Sequence, residues 1–174
     1  KDNIQLSLKF DHTDISFLNA FEDPDLYTDI EGILNGELTV TGELTNPVVK
    51  GDLDILMASV MVPMFNVGFG FSGGIELGRG EIIVNHMDLF DQEGNQAYAS
   101  MQIYHDDWSG FNYDVTLDME DPNLSDKFLV MNTQYKEGSY YYGKAYISGL
   151  VNIFGFDDLV QIEVDATTKK GTDL

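Results

Sequence analysis

A two-residue period runs through almost the whole chain, and alternating apolar and polar residues can be sorted between core and water only by strands with one face turned inward. The stretch GELTVTGELTNPVVKGDLDI, Gly36 to Ile55, shows this most clearly. Leu38, Val40 and Leu44 hold even positions among Glu37, Thr39, Thr41 and Glu43. Beyond Asn46-Pro47 the order inverts, and Val49, Leu53 and Ile55 hold odd positions among Lys50, Asp52 and Asp54. The inversion predicts a turn at Asn46-Pro47 that returns a second strand with its apolar residues on the same face. Gly36, Gly42 and Gly51 fall inside these strands, where glycine permits the sharp bends of a rolled sheet.

The same rule organises the rest. An opening strand carries Ile4, Leu6, Leu8 and Phe10; later ones carry Val67, Phe69 and Phe71, then Ile82 and Val84 followed by Met87 and Leu89. After the turn DQEGN come Ala97, Ala99, Met101 and Ile103, and after HDDWSG come Phe111, Tyr113, Val115 and Leu117. Strands are expected from Phe128 to Tyr135, from Tyr140 to Phe154 after a turn at Lys136 to Gly138, and through Val160, Ile162, Val164 and Ala166. One segment differs: Ile15, Leu18 and Phe21 have helical spacing, with Asp14 as N-cap and Pro24 as stop. The run GKAYISGLVNI places Gly143, Ile147, Gly149 and Val151 as Gly36, Val40, Gly42 and Leu44 are placed, a weak internal repeat. About eleven strands laid flat would span roughly 50 Å and leave one apolar face wet. Their apolar faces must meet, as two sheets of a sandwich or as one sheet rolled on itself.

With 174 residues the chain has room for one domain. Nine Lys and Arg against thirty Asp and Glu, a net charge of −21, exclude phosphate neutralisation, so nucleic acid is not an expected partner. An apolar content of 43 % still requires a folded core. There is no cysteine, and no apolar run approaches the roughly 18 residues of a membrane helix. Because residue 1 is Lys and alternation begins at once, the chain is expected to be an excised piece of a longer protein.

Motifs of chemistry are weak. Gly68, Gly70 and Gly73 spell a G-x-G-x-x-G, but a strand pattern follows where a phosphate site needs a helix. His12, His86 and His105 lack ligand spacing, and Asp91, Glu93 and Asn95 lack the closing Glu of a calcium loop. Acidic pairs at Asp106-Asp107 and Asp157-Asp158 sit where turns are expected. No nucleophile motif is present. Tyr140, Tyr141 and Tyr142, with Trp108 and Phe111, could build a stacking platform for sugars, although strand aromatics are more often core.

The strings DISFLNAF, GELTVTGELTNPVVKGDLDI, LFDQEGNQA, FLVMNTQYKEGSYYYGKAYISGLVNI and DATTKKGT occur in an order that resembles the C-terminal region of the translocation and assembly module subunit TamB family, within the AsmA-like superfamily. The resemblance runs from Asp14 to Thr172; the glycine-rich run is common across the superfamily, whereas MNTQY before YYYGKAY, then TTKKGT, is more specific. It departs most at MVPMFNVGFGFSGGIELGRG, which is unusually rich in glycine and methionine.

The resemblance implies a periplasmic, non-enzymatic segment of a cell-envelope protein anchored in the inner membrane. Such a segment is an all-β, strongly curved sheet folded into an apolar groove, with one short helix near the N-terminus. It would serve phospholipid transport between inner and outer membrane, outer-membrane protein assembly, or both. Its partners would be phospholipid acyl chains or unfolded outer-membrane β-strands, an Omp85-type outer-membrane barrel, and neighbouring segments of the same full-length chain. No catalytic residue, metal or cofactor is implied. The groove lining expected on the alternation is Leu38, Val40, Leu44, Val49, Leu53, Ile55, Val67, Phe69, Phe71, Ile82, Val84, Ala99, Met101, Ile103, Val115, Leu117, Ile147, Val151, Ile162 and Val164. Phe17, Leu18 and Phe21 are the expected plug, and Met57, Met61, Met64, Met87 and Met101 would adapt to variable chains. The alternative is an all-β sandwich that binds a glycan or Ca²⁺.

Overall fold

Residues whose side chains alternate in polarity pair as ladders wherever a neighbour offers the same face, and here nearly every segment finds one. The computed structural model describes residues 3–138, 140–156 and 159–174; the pair Asp157-Asp158 lies outside them. Among the described residues there are ten strands: β1 (Asn3–Asp14), β2 (Thr28–Glu43), β3 (Asn46–Val62), β4 (Val67–Gly78), β5 (Glu81–Asp91), β6 (Gln96–Asp106), β7 (Ser109–Asp118), β8 (Phe128–Thr133), β9 (Gly143–Phe156) and β10 (Leu159–Thr168). They form one open, strongly curved antiparallel sheet in the order β1-β2-β3-β4-β5-β6-β7-β9-β10. β8 pairs with the start of β9, on the side where β7 pairs with its end. A sandwich of two sheets is therefore not what the chain forms.

Register confirms that the inversion keeps one face apolar. Leu38 lies opposite Gly51, Val40 opposite Val49, and Gly36 opposite Leu53, so even residues of β2 share a face with odd residues of β3. The turn falls two residues earlier than expected. Glu43 pairs with Asn46, which leaves Leu44-Thr45 as the turn and puts Asn46-Pro47 inside β3. β4 does not reach Pro47, since its pairing with β3 begins at Gly51, so the missing N–H costs no ladder bond on that side.

Bulges produce the other parity changes. In β3 the inward row passes from Ile55 to Ala58, with Met57 at φ 49° and its amide donating to Ser72 Oγ at 2.9 Å. In β5 it passes from Val84 to Met87, the break visible in the sequence as Ile82, Val84, then Met87, Leu89. Each bulge adds twist and bends the strand while keeping apolar side chains on the concave side.

The expected helix is a single short 3-10 stretch, Ser16–Phe21. Ile15, not the expected Asp14, is the N-cap, and no side chain caps the stretch; the Asp14 carboxylate instead accepts from the Ser16 amide at 2.8 Å, which holds that carboxyl below its ordinary value. Pro24 follows the end, at Glu22.

The chain exposes 11067 Å², whereas a compact protein of 19.5 kDa exposes about 8,500 Å². An excess of roughly 2,500 Å² is what a curved sheet with an uncovered face produces.

Two glycines fix the curvature where β2 meets β3. Gly36 has φ +129° and Gly51 φ +149°; a Cβ on the first would collide with the Asp52 carbonyl oxygen, and on the second with the Glu37 carbonyl oxygen. Gly143 and Gly149 of the repeat also have positive φ. Gly36→Ala should cost about 2 kcal/mol or more in urea denaturation. Gly68→Ala, at ordinary φ and with only the Met61 Cε at 3.8 Å, should stay within about 0.5 kcal/mol.

Candidate functional site

The concave face is continuous across the sheet because directly paired residues point the same way. Leu6 and Leu8 of β1 stand opposite Val40 and Leu38. Beyond β2 the row continues through Val49, Leu53 and Ile55 of β3, Ile75 and Leu77 of β4, and Ile82 and Val84 of β5. Met101 and Ile103 of β6 follow, then Val115 and Leu117 of β7, and Ile153 and Val151 of β9. The last strand places Ile162 opposite Ile153 and Val164 opposite Val151. Among the described residues no second sheet covers this face. Most of these residues are half-buried, and at the two edge strands the face is wettest, with Leu6 at 48 % and Ile162 at 61 % exposure.

One end of the groove is closed by the sheet itself. β8 and the start of β9 fold across β4 and β5, so that Val67, Leu129 and Tyr146 bury one another, and Phe128 seats on Ala97 and Met119. The Phe69 and Phe128 rings stack at 5.8 Å. The fastening is Asp91, a buried carboxylate at the end of β5. Its Oδ1 accepts from the amides of Glu93 and Asn95 at 2.8 and 2.9 Å; its Oδ2 accepts from Asn95 Nδ2 and the Leu129 amide, both at 2.7 Å. The DQEGN turn thus spends its acid on protein N–H groups and ties β5 to β8.

Beside it the Glu93 carboxylate accepts from Lys144 Nζ and from the Tyr146 hydroxyl at 2.8 and 2.7 Å. Lys127 Nζ lies 3.8 Å from the Tyr146 ring centroid. The Lys144 ammonium and the Tyr146 hydroxyl hold Glu93 below its ordinary carboxyl value, and the same pairing raises Lys144.

A smaller apolar cluster covers the middle of the concave face. Ile15, the residue before the 3-10 stretch, packs on Leu34 and Ala58, with Phe10, Leu53, Ile55 and Phe71 around them. This corrects the expected plug: none of Ser16–Phe21 is buried, and Phe17, Leu18 and Phe21 are exposed, Phe21 at 73 %. The tight turn carries these three side chains off the sheet; Ile15 packs on it, and Asn19 pairs with the Ile30 backbone, its Nδ2 donating to the carbonyl at 2.9 Å and its Oδ1 accepting from the amide at 2.7 Å.

The structure brings together Leu38, Val40, Val49, Leu53, Ile55, Ile82, Val84, Ala99, Met101, Ile103, Val115, Leu117, Ile147, Val151, Ile162 and Val164 on the concave side. Val67, Phe69 and Phe71 share the face but lie in or against the buried clusters. Leu44 does not join, because it stands in the β2–β3 turn at 68 % exposure. Of the five methionines expected to adapt to variable chains, Met87 and Met101 sit in the inward row; Met57 occupies the bulge, Met61 points outward and Met64 lies in the β3–β4 turn. The sugar platform is divided, since Trp108 and Phe111 flank His105 at the open end, where Trp108 Nε1 donates to the Pro47 carbonyl at 2.7 Å. The tyrosines lie at the closed end. Sequence reasoning gave Ile15 a helical face and Asp91 a turn, and missed the buried contacts they make with Leu34, Ala58 and Leu129; the even row of β1 ends at Phe10, and a bulge before Thr13 carries the inward row to the odd position of Ile15.

Gly68, Gly70 and Gly73 are interior to β4, with no helix after them. Among the described residues no three His, Asp or Glu side chains gather as metal ligands.

No protein-family model matches the chain, and neither a curated protein nor a solved structure matches it.

Two predictions concern the closed end. Asp91→Ala strands the amides of Glu93, Asn95 and Leu129, and should cost about 3–5 kcal/mol in urea denaturation, with faster hydrogen exchange at Leu129. Glu93 ionises more readily folded than unfolded, so its contribution is complete above the ordinary value of 4.5 and is lost as pH falls below it. The gap in melting temperature between the wild type and Glu93→Gln should therefore be constant at neutral pH and narrow below that value.

Proposed function

We propose that this chain is a non-enzymatic, periplasmic segment of a TamB-like envelope protein, anchored in the inner membrane through its full-length form. Its apolar groove shelters phospholipid acyl chains in transit between inner and outer membrane. The observation that carries the reading is the open concave face: one sheet, no second layer, and apolar rows exposed on β1 and β10. Moving a sixteen-carbon acyl chain bare through water costs about 13 kcal/mol at roughly 0.8 kcal/mol per CH₂. A face of Leu, Val and Ile removes most of that cost while head groups stay wet. Binding needs no directional chemistry, which agrees with the scarcity of polar side chains along the inward rows. Unfolded outer-membrane strands, an Omp85-type barrel and neighbouring segments of the full-length chain belong to the same proposal as partners, since the free edges of β1 and β10 expose unpaired backbone.

Native mass spectrometry after lipid extraction tests it. Phospholipid should copurify or bind when added; its absence in both experiments overturns the reading. Leu38→Asp with Val40→Asp, in the half-buried part of the groove, should keep the fold by circular dichroism and lose at least tenfold in lipid occupancy. Leu129→Asp, in the closed end, should instead unfold the chain, at a cost above about 4 kcal/mol.

A further inference from the structure

The closed end carries a feature that its internal packing does not use. There the β3–β4 turn and the segment between β8 and β9 lie side by side. The Asn132 amide donates to the Phe65 carbonyl at 2.9 Å, Asn66 Nδ2 donates to the Asn132 carbonyl at 2.6 Å, and the Tyr141 hydroxyl donates to the Met64 carbonyl at 3.4 Å. Held in this way, Met64, Phe65, Tyr135, Tyr140, Tyr141 and Tyr142 all face solvent, Tyr140 completely, at 102 %. Tyr135 and Tyr142 meet edge to face at 5.1 Å. At 150–250 Å² for a whole aromatic side chain, the rim presents on the order of 700 Å² of ring and thioether surface. Summed over the six residues and including their hydroxyl tips, that is comparable with the roughly 300–600 Å² of the largest apolar patch on an ordinary monomer.

Charge distinguishes this end from the rest. Of the nine basic residues in the chain, Lys127, Lys136, Lys144, Lys169 and Lys170 lie here, although the net charge is −21. Lys127 and Lys144 are engaged with Tyr146 and Glu93, and Lys136 lines a cleft of about 560 Å³ with Met64, Tyr140 and Tyr141. Tyrosine rings with hydroxyl tips beside lysine ammonium groups match the boundary between acyl chains and head groups, where one end of a side chain is apolar and the other wet. A second copy of the chain would bring two strongly acidic bodies together. A glycan is the competing occupant, since Thr133, Gln134, Lys136 and Tyr140 line the same cleft, although the Tyr141 hydroxyl and the Asn66 amide are already committed to backbone carbonyls.

We propose that the closed end docks on the interfacial region of a phospholipid bilayer, with Tyr135, Tyr140 and Tyr142 among the glycerol and head groups and Lys136 beside lipid phosphates. The open end of the groove then stands away from the surface. Because the whole chain is acidic, a zwitterionic bilayer suits it better than an anionic one, and the difference shrinks with salt. This inference rests on the rim and is independent of what the groove carries.

Co-sedimentation of the purified chain with sucrose-loaded phosphatidylcholine vesicles tests it. The wild type should partition to vesicles, replacing a third of the lipid by phosphatidylglycerol should weaken it at low salt, and Tyr135→Ser, Tyr140→Ser and Tyr142→Ser together should reduce it tenfold or more. These side chains are exposed and only the Tyr135–Tyr142 edge-to-face contact is lost, so the melting temperature should fall by no more than a few degrees and the fold should persist. Failure of the wild type to partition, equal partition of the triple variant, or retention on oligosaccharide beads without vesicle binding would each overturn the proposal. Leu38→Asp with Val40→Asp should leave vesicle binding intact, so loss of groove lipid and loss of docking are read separately.

Discussion

A single sheet has no second layer, so each apolar side chain on its concave face must be covered by the sheet's own distant strands or remain wet. That constraint organises the whole molecule. β8 and the start of β9 supply the cover at one end, and they can do so because the Asp91 carboxylate accepts four hydrogen bonds that tie the β5–β6 turn to β8. A buried carboxylate is costly unless its lone pairs are filled, and here they are filled by three backbone amides and one side-chain amide. Elsewhere the sheet has only Ile15 to lay over Leu34 and Ala58. The fold therefore consists of a sealed end, a partly covered middle and open edges.

Much of this was legible because a strand period of two leaves no latitude: a residue faces in or out. Leu38, Val40, Val49, Leu53 and Ile55 could be assigned from parity alone, while Leu44 could not because it stands in the turn, and the break between Val84 and Met87 was already visible as two residues where one was due. The turn was misplaced because Asn46-Pro47 has strong turn chemistry, and only the pairing of Glu43 with Asn46 shows that Leu44-Thr45 turns instead. The helix was misread as a plug because helical spacing marks a face without saying whether anything receives it. Asp91 was visible only as a turn acid, and its bond to Leu129 escaped notice since that contact joins residues 38 apart in sequence, and no local pattern encodes such a pair.

Electrostatics work outward from the same geometry. Glu37, Asp52, Asp54, Glu76, Asp114 and Glu163 alternate with inward residues, so the acids within the strands line the convex side. Like charges along free edges disfavour unplanned pairing between copies, while Lys9 and Glu37, 3.7 Å apart across β1 and β2, give only a small surface attraction. The lysines at the closed end are the exception, and of these Lys127 and Lys144 serve the Tyr146 ring and Glu93.

The bulge at Met57 also bears on how such a sheet can change length. In a strand of strict alternation, losing one residue turns everything beyond it inside out. Between Ile55 and Ala58 the chain already carries a surplus residue, and its removal would restore plain alternation with Ala58, Val60 and Val62 still facing inward. The bulges are thus the natural joints for insertion and deletion, places where a lineage of related sheets can gain or shed a residue without exchanging its inside for its outside.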